Sequence, residues 1–227
     1  MKELEIYPYM DRRERQTYVA DAPIDFATWL ELSEKLDTEL VRGVMIHRIA
    51  AQYPHEWTFT WLSTILNNFV SAQALGRVLG SRMAVRISAI DGRLPDLLFV
   101  RAENLGIIKK DAIYGTPDLV IEIVSENDRP SDFIPLEADY RSIGVGEIVF
   151  IDPRKKRVRY LRSVGAEYEE TFLTTGQLTL ACVPGFAIAV EWLFADEKPN
   201  PYHVSQQLIE AWAAGQQAGI TRVIALD

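Results

Sequence analysis

The sequence predicts an α/β (α+β) fold in which helices flank a β-sheet and antiparallel hairpins are added to it. Three observations carry this reading. Two apolar runs of strand length, Leu94 to Val100 and Leu119 to Val124, each follow or contain a Pro-Asp step. Trp57, Trp61, Leu62, Ile65, Leu66, Phe69 and Val70 recur at helical spacing and give one long helix a broad apolar face. The second half of the chain is rich in short strand-like runs separated by turn residues.

Taken in order, residues 1 to 24 lack clear periodicity and read as an N-terminal extension that wraps the surface or pairs at an edge. Asp25 to Lys35 places Phe26, Trp29, Leu30 and Leu32 as a short amphipathic helix. Glu39 to Ile49 reads as a hairpin turning at Arg42-Gly43, with Glu39 and His47 at its ends. The long helix is expected from His55 to about Ala74, packed on the sheet. Its aromatic pair Trp57 and Trp61 lies among aliphatics and belongs to a core; His55 at its start is by default an exposed residue, with a functional imidazole pointing at a cleft as the alternative. Strands follow at Arg77 to Gly80 and Arg82 to Ile87, and a turn at Asp91-Gly92 leads into the Asp96 strand. Ala102 to Gly115 is a polar loop or short helix before the second Pro-Asp strand.

That second strand, Pro117-Asp118-Leu119-Val120-Ile121-Glu122-Ile123-Val124-Ser125, has a carboxylate in its middle. Flanked by branched residues, Glu122 is expected to be largely buried, and a buried carboxylate must be paired, protonated or metal-bound. If the two Pro-Asp strands are neighbours, Asp96 and Glu122 face each other with Cβ atoms about 5 Å apart, near enough to share one cation. Asp118 lies on the same face as Glu122 but roughly 13 Å along the strand. A structural ion pair with Arg82, Arg86 or Arg93 explains the same residue, and sequence physics leaves both readings open.

After Ser125, a helix is expected from about Pro135 to a cap at Gly144. Glu147 to Asp152 is a buried strand in hairpin sequence with Val158 to Arg162, and Arg154-Lys155-Lys156-Arg157 reads as its solvated tip. Strands at Tyr168 to Phe172 and Gln177 to Ala181 finish the β-rich half, and Pro184-Gly185-Phe186 precedes a turn into Val190 to Phe194. Tyr202 to Ala214 is a weakly amphipathic helix suited to docking on this domain or on a partner. The division is an extension 1–24, a domain 25–195 and a helical tail 196–227.

Composition narrows the class. At 227 residues, 48% hydrophobic and 25% charged, the chain has the profile of a globular protein with one substantial core. No run approaches the roughly 20 apolar residues of a membrane span, and the charged start MKELEIYPYMDRRERQ is unlike a secretory signal. A cytoplasmic protein without membrane association is expected. Cys182 is the single cysteine, which excludes an intramolecular disulfide and cysteine-rich zinc sites, and its apolar surroundings mark it as a small buried hydrophobe. A net charge of −8 argues against a protein that coats nucleic acid, though not against an enzyme that grips DNA locally.

An ordered set of residues then carries a resemblance. Glu39-Leu40 with Gly43, His55 opening a long helix, Gly76-Arg77-Val78, Arg93-x-Pro95-Asp96, Gly115-x-Pro117-Asp118 through Ser125, Tyr140, Gly144-Val145, Glu147, Asp152-Pro153 and Pro184-Gly185-Phe186 together resemble the Uma-type family of restriction endonucleases, within the PD-(D/E)XK nuclease superfamily. The resemblance covers roughly residues 25 to 195. It implies a restriction-endonuclease-like mixed β-sheet flanked by helices, with Asp96 and Glu122 as metal-binding carboxylates and Glu39 as a third member of the catalytic set. It also implies Mg²⁺ as cofactor, with Mn²⁺ as substitute, and hydrolysis of a DNA phosphodiester. A homodimer would suit cutting both strands of a duplex.

One departure stands out. The superfamily's lysine would fall at Val124, and Uma-type members place it on the following helix, four residues before the tyrosine matching Tyr140. That position is Leu136. Such a lysine orients water and stabilises developing negative charge, so a metal-dependent endonuclease here is impaired unless another group serves. Arg129, in the preceding loop, is one candidate clamp. The alternative is a catalytically inactive nuclease-fold protein that acts as a binding or assembly module.

Overall fold

A computed structural model describes residues 6–10, 16–33, 36–48, 52–80, 82–125 and 130–218. In chain order the elements begin with the strands β1 (Tyr7–Met10) and β2 (Gln16–Val19), helix α1 (Phe26–Ser33), and the hairpin β3 (Thr38–Val41) and β4 (Val44–His47). Helix α2 (Tyr53–Ala72) and strands β5 (Gly76–Gly80), β6 (Ala84–Arg86), β7 (Gly92–Arg93) and β8 (Leu97–Arg101) follow. A 3-10 turn (Ala102–Ile107), β9 (Ala112–Ile113), β10 (Leu119–Ile123), α3 (Pro130–Ser142) and β11 (Glu147–Asp152) come next. The chain closes with β12 (Arg157–Val164), β13 (Glu167–Leu173), β14 (Gln177–Thr179), β15 (Ala187–Ala189), a second 3-10 turn (Val190–Phe194) and α4 (Pro201–Ala218).

The central layer is a six-stranded sheet in the order β13-β12-β11-β10-β8-β5. Its one parallel pair is β10 with β11, and all its other neighbours are antiparallel, so the sheet is mixed. Parallel neighbours cannot be joined by a tight turn, and α3 fills the crossover between them. Alternation along β10 sorts its side chains: Leu119, Ile121 and Ile123 enter the cluster beneath α2 and α4, while Val120 enters the opposite cluster with Tyr140 of α3. Glu122 shares the Val120 face by the same period of two. Asp96 shares its face with Leu98 and Val100, which belong to the cluster around Val120.

A seven-stranded sheet, β1-β2-β4-β3-β7-β6-β9, carries the hairpin that bears Glu39. Its turn takes positive φ at both Arg42 (50°) and Gly43 (75°), the twist that fits a two-residue hairpin, and a glycine supplies the second position without strain. Gly92 in β7 admits no side chain, because a Cβ there would lie 2.6 Å from the Trp29 ring. That close approach lets β7 run against α1 and brings Arg93 next to the hairpin. The N-terminal strands β1 and β2 pair antiparallel at the edge of this sheet.

Two differences from the sequence reading have physical causes. The Arg93-to-Val100 run splits, with Arg93 in the hairpin sheet and Leu97 onward in the central one, because Pro95 interrupts the ladder. Helix α3 starts at Pro130, five residues before the proline expected to open it, and carries Pro135 internally. The first turn of a helix has free N–H groups, so a proline only shortly beyond it interrupts the bonding little. Its end is as read: Gly144 sits at φ +77°, with its N–H on the Arg141 carbonyl and that of Val145 on the Tyr140 carbonyl. Of the two docking sites open to the tail helix, the structure shows the first: α4 packs along α2, burying Val204 and Leu208 in the main core. Among the described residues no helix is long and apolar enough to cross a membrane.

Candidate active site

The register of β8 with β10 pairs Leu119 with Phe99, Val120 with Leu98 and Ile121 with Leu97. One step further sets Glu122 opposite Asp96, as the strand pattern predicts. Both are buried, Asp96 at 5% and Glu122 at 9% exposure. The ladder ends there, and the Asp96 side chain continues it: its Oδ2 accepts the Ile123 N–H at 2.8 Å. Asp118, at the far end of β10, instead accepts the Arg101 N–H and the Asn104 amide, which confirms its distance from the pair.

Each carboxylate has its own support. Glu122 Oε1 accepts a 2.5 Å hydrogen bond from the Tyr140 hydroxyl, delivered by fully buried Tyr140 on α3. Asp96 Oδ2 also lies 3.0 Å from His55 Nε2, at the start of α2. On its other side His55 Nδ1 lies 3.2 Å from Glu56 Oε1. Burial disfavours the imidazolium, but the hydrogen bond and charge of Asp96, joined by Glu56, outweigh burial and hold the His55 pKa above its ordinary value. His55 is 8% exposed, which corrects the expectation of a solvent-facing residue. Tyr53 and Pro54 precede it in α2, so His55 stands third in the first helical turn, where its ring reaches Asp96.

Glu39 reaches the site from the hairpin sheet, through Arg93. The guanidinium donates to Glu39 Oε2 at 3.2 Å, and to Asp139 Oδ2 from Nε at 2.8 Å with Nη2 at 2.6 Å. Burial opposes the Arg93 charge, yet Glu39 and Asp139 hold its pKa well above the usual range. A second guanidinium, Arg48, directly follows β4 and lies 3.8 Å from Asp96 Oδ1. Sequence reasoning missed Arg48: it follows a four-residue strand as one of several scattered arginines, and only the sheet-to-sheet packing aims it at Asp96.

The electrostatic balance is uneven. Burial, then the charge of Asp96, push the Glu122 pKa well above the usual carboxylate range; Glu39 adds to this, while the Tyr140 hydrogen bond and Arg48 oppose it. The Tyr140 hydroxyl is likewise pushed well up by burial and by Glu122. Burial and the facing Asp96 carboxylate therefore disfavour the ionised form of Glu122 more than its neighbours favour it. Among the described residues no three His, Cys, Asp or Glu side chains converge as a ready-made ligand cage.

Leu136, one turn before Tyr140 on α3, is half-buried and packs against the apolar cluster of Val85, Leu98, Val120 and Tyr140. Arg129 lies outside the described residues. The Arg154-to-Arg157 tip is the turn between β11 and β12, and Asp152 caps it by accepting the N–H groups of Arg154 and Lys155 at 3.1 Å each. Cys182 is buried, and burial raises its thiol pKa far out of the reactive range, as expected of a packing residue.

The family model described as "Putative restriction endonuclease", Uma2, matches residues 24–191. The chain belongs to the Uma2 family. The Glu39 hairpin, the Asp96 and Glu122 strands, α3 and the β11–β12 hairpin of this Uma2 chain all fall inside the match. Its fold is similar to the crystal structure of a protein described as a putative nuclease belonging to DUF820 from Anabaena variabilis ATCC 29413. The TM-score is 0.64 at 18% identity, covering 76% of this chain and 98% of that one, a likeness of fold alone. No curated protein matches the sequence.

Proposed function

We propose that this Uma2 chain is a metal-dependent DNA endonuclease that hydrolyses phosphodiester bonds, with Asp96 and Glu122 holding Mg²⁺ and with Mn²⁺ able to replace it. The observation that carries this reading is the facing pair itself. Two buried carboxylates lie opposite each other at the end of a ladder, and burial plus mutual charge drive one of them toward protonation. A hard divalent cation relieves that stress. The donor set fits Mg²⁺, which takes one or two protein carboxylates and fills its remaining positions with water and phosphate oxygens. When bound, Mg²⁺ supplies phosphate polarisation and a water of lowered pKa.

The chain's own residues do the rest. The Ile123 N–H and His55 fix Asp96, and Tyr140 fixes Glu122, so the pair is held in place before substrate arrives. Glu39, pinned by Arg93, adds a third acid on the same side of the site and completes the catalytic set. A homodimer would place two such sites for the two strands of a duplex, and a cytoplasmic location would suit the reaction.

The alternative, an inactive nuclease-fold binding or assembly module, draws on one observation: Leu136 occupies the expected lysine position and is packed among apolar neighbours. Plasmid cleavage with Mg²⁺ and then Mn²⁺, run beside identically purified Asp96→Ala, decides between them. Nicking by the parent that vanishes in Asp96→Ala supports the nuclease. No cleavage by either protein at high concentration, on several substrates, favours the module.

A further inference from the structure

The two acids beside Arg93 share its guanidinium unequally. Asp139 on α3 takes two donors on one oxygen, Nε at 2.8 Å and Nη2 at 2.6 Å, whereas Glu39 Oε2 meets Nη1 alone at 3.2 Å. The guanidinium is buried and both acids are partly exposed, so Arg93 cannot exchange either partner for bulk water. A guanidinium fork matches both oxygens of a carboxylate, and an acid with no competitor draws a pair of parallel donors onto itself. Asp139 prevents that at Glu39. It occupies the Nε and Nη2 side of the fork, so Glu39 is tethered through one oxygen while its charge still reaches Glu122. Tyr140, the next residue along α3, holds Glu122 itself. Neighbouring residues of one helix therefore set both acids, Glu122 directly and Glu39 through Arg93.

We propose that Asp139 is a positioning residue: by holding the Nε and Nη2 side of Arg93 it keeps Glu39 bound through a single oxygen and leaves the other to serve the metal site. The proposal rests on the nuclease reading above and deepens it, because it gives α3 control over the third acid. Without the Asp139 charge, Arg93 stays buried and cationic, and of its two carboxylates only Glu39 is left. The Nη1 and Nη2 donors then close on both Glu39 oxygens, and the acid is withdrawn from the Asp96 and Glu122 pair. Asp139 itself touches neither metal nor substrate.

An effect that runs through Glu39 must vanish once Glu39 is gone, which a merely structural role would not do. Mn²⁺ affinity by calorimetry, and kcat and KM for cleavage of a labelled duplex, are measured for the parent, Asp139→Asn, Glu39→Gln, their double variant and Asp139→Glu, with urea denaturation to count folded protein. Asp139→Asn keeps the shape and an acceptor oxygen and removes the charge. It should lower kcat roughly 10- to 100-fold with little change in KM, and weaken Mn²⁺ binding roughly 3- to 10-fold. In the Glu39→Gln background the same substitution should change either quantity by no more than about 2-fold. Asp139→Glu restores the charge and should recover most of kcat. If the double variant does not fold, because a buried Arg93 is left without a carboxylate, the cycle is run on Arg93→Gln. There Asp139→Asn has no guanidinium to release and should again be silent.

Losses that add in these cycles make Asp139 an independent contributor and overturn the inference. So does an Asp139→Asn protein with the parent's kcat and Mn²⁺ affinity. Where the parent binds Mn²⁺ but cuts nothing, the cycle is read in Mn²⁺ affinity, and a loss that disappears in the Glu39→Gln background supports the inference while additive losses overturn it. A parent that neither binds Mn²⁺ nor cuts sinks the nuclease reading and this inference with it.

Discussion

Two buried glutamates sit on adjacent parallel strands of the central sheet and behave in opposite ways. Glu147 opens β11 and pairs in register with Leu119 of β10, the strand that carries Glu122 three residues later. Glu147 is 3% exposed and Glu122 9%. Around Glu147 the fold supplies donors: the Tyr160 hydroxyl at 2.8 Å and the Ala181 N–H at 3.1 Å on Oε2, and the Cys182 N–H at 2.5 Å on Oε1. Around Glu122 it supplies one hydroxyl, the charge of Arg48 and two further acids, and the acids and burial prevail. A buried acid surrounded by donors ties strands to a loop, whereas one faced by another acid is costly to the fold and waits for a cation. Burial alone therefore does not separate structure from site. The neighbours do.

The comparison breaks most sharply in activity. Glu122→Gln and Asp96→Ala should each abolish Mg²⁺-dependent cleavage, while Glu147→Gln should leave activity per folded molecule near the parent's; titrating active protein by Mn²⁺ binding alongside the cleavage assay checks both. In stability the order reverses. Glu147→Ala strands one hydroxyl and two backbone N–H groups in a dry interior and should cost roughly 2–4 kcal/mol in urea denaturation. Removal of the Glu122 charge should cost far less, and a Glu122→Gln variant as unstable as Glu147→Ala would void the contrast.

A pH series sharpens the same point. Glu122 has a folded-state pKa above its unfolded one, so the folded chain binds the extra proton and this group's contribution to stability is lost as pH rises from the usual carboxylate range through the raised value. In EDTA, Glu122→Gln should therefore gain on the parent as pH rises toward neutral, and the gap should close in acid. Melting curves across that range test it, and added Mg²⁺ should stabilise the parent only. The smallest effect is expected at the other end of β11, where Asp152 caps the basic turn: Asp152→Ala should cost about 1 kcal/mol and leave cleavage unchanged.

Sequence alone determined the parts of the molecule that depend on local periodicity. The Arg42-Gly43 hairpin, the apolar face of α2, the cap at Gly144 and the alternation around Glu122 follow from short-range sterics and from the two- and 3.6-residue periods, which any reader of the chain can count. The facing of Asp96 and Glu122 was also legible, because it needs only that two Pro-Asp strands be neighbours. Tertiary structure alone decided the rest. That Arg48 ends over Asp96, that His55 is buried on the same oxygen as the Ile123 N–H, and that Arg93 bridges Glu39 to Asp139 depend on how one sheet docks on another. A charged residue near the end of a short strand carries no periodic signal of its partner. Its role is set by long-range packing, which brings together groups tens of residues apart.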